Sequence, residues 1–238
     1  MKEFEVAPDP SDPRLTRRVH GTDQDGAPVE AAIVVERPLT LFLNGQEIVT
    51  MMTIGDHPEW LAIGYLVNQN MLRPGDEVTG VEHDEETESV VVRTRARTDF
   101  EEKLRRKTLT SGCAQGTVFG DLMERFDDVR LPADAVLRTS WLYRLLRKIN
   151  TAPSLYLEAG AIHGCALCEQ DRVIAYMEDV GRHNAIDKIA GFMFTRGIGG
   201  GDKVFYTTGR LTSEMVIKCV QMGIPILAVS YTHLRAHE

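Results

Sequence analysis

Within Glu178-Asp179-Val180-Gly181-Arg182-His183-Asn184, two acids and a turn glycine are followed at once by a guanidinium, an imidazole and an amide. A strand-like run, Val173 to Met177, leads in, and a helix-like run leads out to Gly191. Arg182, His183 and Asn184 therefore stand at a helix start, where unpaired backbone N–H groups already favour an anion. The chemistry suggested is the binding of a phosphate-bearing ligand. Thr207-Thr208-Gly209-Arg210 follows the same plan, with a strand, a glycine turn and an arginine before a helix. Ligands of open α/β sheets gather at the carboxyl ends of strands, so Arg182 and Arg210 imply one shared anionic ligand. Against this, single Gly-Arg turns are common, and Asp187 and Lys188 fit a solvated helix face. Asp187 also lies one turn from His183, placed to orient that imidazole.

Of the four cysteines, Cys113 has the most reactive setting. Its loop, residues 108–117, is flanked by glycines, follows Lys103, Arg105, Arg106 and Lys107, and precedes a helical run from Val118. Positive charge and a helix N-terminus both favour thiolate, the nucleophilic form. The competing reading is a small buried residue in a linker. His163-Gly164-Cys165-Ala166-Leu167-Cys168 resembles three zinc ligands, but a structural zinc site wants four. If that stretch is helical, Cys165 and Cys168 share one face and pack as small apolar groups. This leaves His163 as its functional residue. Cys219 falls among Val216, Val220 and Met222 and reads as core.

Several elements must position these groups. Residues 1–28 lack periodicity and read as a loose arm. Strands are expected at 33–35, 39–43 and 47–52, with Asn44-Gly45 as a hairpin turn. A helix opens at Asp56-His57-Pro58-Glu59, with Asp56 as N-cap and Glu59 closing a capping box. Residues 77–82 and 89–95 form a second hairpin. Helices are expected at 118–126 and 139–150. After them, strands at 172–177, 203–208 and 224–229 alternate with helices at 181–195 and 212–222, the signature of an α/β sheet. The boundaries follow: an arm at 1–28, a smaller β-rich part at 29–107, an α/β domain at 108–230 and a tail at 231–238.

The 238 residues carry a net charge of −8, which disfavours a mainly electrostatic nucleic-acid binder. Hydrophobic residues make up 43%, enough for a core. No apolar run approaches a membrane span, and the acidic N-terminus is unlike a signal peptide. A cytoplasmic protein is expected.

Taken together, Arg37-Pro38-Leu39-Thr40 with Asn44-Gly45, the helix Glu59 to Met71, Ser111-Gly112-Cys113, Glu178 to Gly191 and Thr208-Gly209-Arg210 through Met215 resemble the FdhD-type formate dehydrogenase accessory sulfurtransferases. The resemblance implies a cytidine-deaminase-like α/β domain, a mixed sheet flanked by helices, beside a smaller N-terminal part. It implies a sulfurtransferase in which Cys113 takes persulfide sulfur from a cysteine desulfurase. The sulfur passes to a molybdenum or tungsten bis(guanine dinucleotide) cofactor, bound as substrate, for use by the formate dehydrogenase apoenzyme. His163, Arg182, His183, Asn184, Gly209 and Arg210 are the expected cofactor-binding residues. No tightly bound metal is expected, and a homodimer stays open.

The chain departs from the family's pattern twice. Many members carry Cys-x-x-Cys in the loop, where only Cys113 stands here. Residues 231–238 also match nothing expected, so the last strand is expected to lie partly bare. Three rivals remain: a zinc-dependent deaminase, for which His57-Pro58-Glu59 has the first spacing; a dithiol oxidoreductase at Cys165 and Cys168; and a non-catalytic cofactor carrier.

Overall fold

The computed structural model describes residues 4–73, 75–95 and 129–230. The Cys113 loop, the helical run expected at 118–126 and the tail at 231–238 lie outside the described residues.

The N-terminal half begins with a two-stranded ribbon, β1 (Thr16–Thr22) against β2 (Pro28–Val34). This overturns the expectation of a loose arm over 1–28. The ribbon has no continuous buried face, so apolar alternation did not reveal it; backbone pairing and a tight turn hold it. In that turn Asp23 accepts hydrogen bonds from the N–H groups of Asp25 and Ala27, and Gly26 takes φ +82°. Upstream, Leu15 is buried, and the backbone of Glu5 and Val6 pairs with the strand residues 174–176.

A four-stranded sheet follows, in the order β4-β3-β6-β5, from β3 (Arg37–Leu43), β4 (Gln46–Thr53), β5 (Val78–Asp84) and β6 (Ser89–Thr94). Asn44 and Gly45, at φ 49° and 86°, make the expected turn between β3 and β4. Helix α1 (Pro58–Asn68) covers this sheet, with Leu61, Ala62, Tyr65 and Leu66 in its core. The cap differs from expectation: His57 occupies the N-cap position without a capping hydrogen bond. Asp56 is drawn away by a stronger partner, Lys188.

The second half holds α2 (Thr139–Thr151), the short α3 (Leu155–Ala159), β7 (His163–Glu169), β8 (Arg172–Asp179), α4 (Arg182–Arg196), β9 (Lys203–Thr207), α5 (Ser213–Gln221) and β10 (Ile226–Val229). Its sheet runs β10-β9-β7-β8 and is mixed: β10 is parallel to β9, and β7 is antiparallel to both β8 and β9. Helices α4 and α5 pack on one face with Cys165, Leu167, Met177 and Phe205, while α2 covers the other through Leu145 and Ile149. The strand expected at 224–229 is shorter, and all four residues of β10 are half-buried. The observed fold is thus the expected α/β architecture with helices on a mixed sheet.

The two halves meet where α1 crosses α4 at backbone distance. A Cβ on Gly64 would come 1.7 Å from the Asp187 carbonyl oxygen, and one on Gly191 would come 1.9 Å from that of Trp60. Here the absent side chain, not backbone freedom, is what the structure needs. Gly191→Ala should therefore force the helices apart and lower unfolding free energy by about 1–3 kcal/mol or more. Urea denaturation checks this, and an exposed control, Gly199→Ala, whose added Cβ would meet no atom within 4 Å, should change little.

Candidate functional site

Because β8 and β9 both run antiparallel to β7, their carboxyl ends flank its amino end. His163 opens β7 opposite Asp179, and Cys165 lies opposite both Met177 and Thr207. One sheet edge therefore gathers His163, the Gly181-Arg182 turn and the Gly209-Arg210 turn. The second turn is stitched to β7: Thr208 N–H donates to the Gly164 carbonyl, and Gly164 N–H donates to Thr208 Oγ1 at 2.9 Å. Gly209 is needed here for space, since a Cβ would meet Arg182 Cβ at 2.9 Å.

The edge brings together Arg182, Arg210 and the Glu214 carboxylate and is incompletely satisfied. Burial, then Arg182 and Arg210, push the His163 imidazole below its ordinary pKa. His183 is pushed down to about 3, first by burial and then by Lys218, Arg182 and His163. Both histidines are thus neutral at pH 7. His183 Nε2 lies 3.1 Å from Glu214, an ion pair only when the imidazole is protonated, while Arg182 Nε and Thr212 Oγ1 are buried without hydrogen-bond partners. Buried polar groups are rarely left so. No side chain caps the start of α4 or α5, so first-turn N–H groups of both helices face the same edge. Two guanidiniums, two neutral imidazoles and uncapped helix starts can bind a phosphorylated ligand and give or take a proton beside it.

Two of the expected roles fail. Asp187 does not orient His183. Its two oxygens receive Lys218 Nζ at 2.7 and 2.8 Å, and Asn68 donates to it at 2.7 Å. Asp187 and Lys188 are no solvated face either; they are 1% and 0% exposed. Asn184 lies at the helix start but turns inward, donating through Nδ2 to the Met52 carbonyl at 2.7 Å and to Asp179 at 3.0 Å.

The cysteines separate cleanly. The stretch 163–169 is a strand, not a helix, so Cys165 and Cys168 do not share a face. Cys165 packs with α4 and α5, whereas Cys168 packs with α2. Burial pushes each of these thiols up to about 12, and Cys219 is raised in the same way. Opposite faces rule out a Cys165–Cys168 dithiol and a shared zinc site. His57 stacks on Trp60 at 4.6 Å at the head of α1, away from both cysteines in the fold's other half. Cys113 lies outside the described residues.

Sequence reasoning missed Thr53, Asp56, Asp179 and Lys188, which form one buried network beneath the edge. Asp179 accepts from Thr53 Oγ1 at 2.5 Å and pairs with Lys188 Nζ at 2.6 Å; Lys188 also pairs with Asp56. The available signal was the Glu-Asp before Gly181, two acids at the end of an otherwise apolar strand.

A bound anion would draw the His163 pKa upward, so binding takes up a proton and affinity strengthens as pH falls from 8 towards 6. Calorimetry with pyrophosphate should show a higher ratio of affinity at pH 6 to affinity at pH 8 in the parent than in His163→Gln, where only the ligand's own protonation remains and opposes binding. Identical pH dependence in both proteins would remove His163 from the site.

A family model described as the FdhD/NarQ family matches residues 34–233. The sulfur carrier protein FdhD of Listeria innocua serovar 6a is 29% identical over 222 residues, covering 90% of this chain and 82% of the relative. That of Bacillus subtilis is 29% identical over 204 residues, covering 84% and 76%. The crystal structure of a Desulfotalea psychrophila protein, described as a formate dehydrogenase accessory protein, matches with a TM-score of 0.68 at 24% identity. It covers 91% of this chain and 84% of that one, which supports the fold. No helix among the described residues is long and apolar enough to cross a membrane. With its family match spanning most of the sequence and its fold shared, this chain belongs to the FdhD/NarQ family.

Proposed function

We propose that the protein is a sulfurtransferase that carries sulfane sulfur on Cys113 and delivers it to a molybdenum or tungsten guanine-dinucleotide cofactor, supporting formate dehydrogenase. One observation carries the reading. Three of four cysteines are sealed in the core with thiols raised by burial, which leaves Cys113 as the thiol for exchange chemistry. Family membership and the relatives' printed name, sulfur carrier protein, agree with it.

In loading, the Cys113 thiolate attacks the terminal sulfur of a persulfide on a cysteine desulfurase. A new S–S bond forms as the donor's S–S bond breaks, and the donor cysteine leaves as thiolate with no net oxidation. The cofactor is the second substrate. The residues present fit its pyrophosphate: Arg182 has a buried Nε without a partner, and the absent side chain at Gly209 lets the aliphatic stem of Arg182 pack against the turn that leads to Arg210. A phosphate contact from either arginine is worth roughly 1.5–3 kcal/mol as a charge-assisted hydrogen bond. His183, neutral, supplies a donor or acceptor without adding charge, and His163 takes up a proton as the anion binds.

Incubation with a cysteine desulfurase and sulfur-labelled cysteine, followed by peptide mass spectrometry, tests the assignment. Label should reside on the peptide containing Cys113, and Cys113→Ala should lose it and fail to mature formate dehydrogenase while melting normally. Folded Cys165→Ser, Cys168→Ser and Cys219→Ser proteins should still load. Full loading of Cys113→Ala would refute the role.

A further inference from the structure

The anion-binding edge is held in place from the other half of the chain. We infer that Thr53, Asp56 and Lys188 are positioning residues for Arg182 and His163, acting through the carboxylate of Asp179. The inference rests on reading this edge as the cofactor's phosphate site.

Asp179 is the last residue of β8 and is fully buried. Its two oxygens divide their work. Oδ1 accepts from Gly181 N–H at 3.2 Å and Asn184 Nδ2 at 3.0 Å, which shapes the turn that presents Arg182. Oδ2 accepts from Thr53 Oγ1 at 2.5 Å and faces Lys188 Nζ at 2.6 Å. The same residue stands opposite His163 in the β7–β8 register. One carboxylate thus underlies both the guanidinium and the imidazole.

Lys188 has no donor to spare for a ligand. An ammonium has three N–H bonds; here they meet Asp179, Asp56 and the Glu178 carbonyl oxygen, the last at 3.0 Å. Lys188 is also wholly buried, six residues or about 9 Å of helix beyond Arg182. It acts on the site only through what it holds.

Three separate links reach this turn and the helix behind it from the end of β4 and its short connection to α1. Thr53 bonds Asp179 directly, the Met52 carbonyl bonds Asn184, and Asp56 bonds Lys188. The connection itself is held in unusual backbone: Gly55 has φ +82° and His57 has φ +47°. A non-glycine residue held there requires support from its surroundings. Such support suits a segment whose side chains must arrive at fixed places.

Lys188→Met would leave two carboxylates buried without their counter-charge and is a poor test, since it should unfold. Thr53→Val and Asp56→Asn keep the shape while weakening one link each. The first readout needs no ligand: the His163 imidazole is titrated by proton NMR, assigned against His163→Gln. His163 faces Arg182, Arg210, Asp179 and His183. Displacement of Arg182 should raise its pKa towards the ordinary value, because Arg182 outweighs Asp179 there. The second readout is GDP affinity, expected to fall about tenfold in both variants, within the usual range of side-chain coupling between sites. An unchanged His163 titration in folded variants of lower melting temperature would overturn the positioning role. If the parent fails to bind GDP, the reading of the ligand fails, and the His163 titration still decides the positioning.

Discussion

The Lys188 ammonium, buried between Asp179 and Asp56, is the interaction on which the rest of the structure depends. Burial alone would drive such a group towards neutrality. Its two carboxylates outweigh that effect, and Lys188 is held above its ordinary pKa. Removing one partner of such a group typically costs about 3–5 kcal/mol, because the remaining charge stays buried and unpaired. The preceding residue, Asp187, makes the complementary arrangement with Lys218 of α5 and Asn68 of α1. Successive helix residues lie about 100° apart, so two neighbouring opposite charges tie α4 to different elements. Close packing at Gly64 and Gly191 brings α1 near enough for both ties to form.

This arrangement explains what was legible in the sequence. One local signal held: Asn44-Gly45 turned the chain. The two Gly-Arg turns did reach one edge, although the antiparallel β7 between their strands was not foreseen. Its presence is what brings His163 to them. Signals requiring a distant partner were unreadable. Asp56 has the ideal type and spacing for an N-cap, yet Lys188, 132 positions away, is a stronger partner for its charge. Asp187-Lys188 looks like a solvated pair because nothing local reveals the helix that covers it. The β1–β2 ribbon escaped notice for the opposite reason: it buries little, so its apolar pattern is weak.

The cysteines show how topology separates residues that sequence spacing brings together. In a helix, Cys165 and Cys168 would be neighbours; on β7 they belong to different cores on opposite sides of the sheet. Their burial and raised thiol pKa values suit packing, and they concentrate the proposed sulfur chemistry on Cys113. Binding and sulfur transfer are thereby assigned to different segments. In the proposed function the sheet edge supplies charge and hydrogen-bonding groups, and the loop at 108–117 supplies the nucleophile.

Hydrogen–deuterium exchange with and without GDP tests the central claim most directly, that one anion site at this edge is built from both halves of the chain. The account predicts slower exchange at residues 181–184 and 208–210 together, and at residues 52–57, the end of β4 and its connection to α1, which support them. Protection confined to one Gly-Arg turn, or found only elsewhere in the fold, would contradict it.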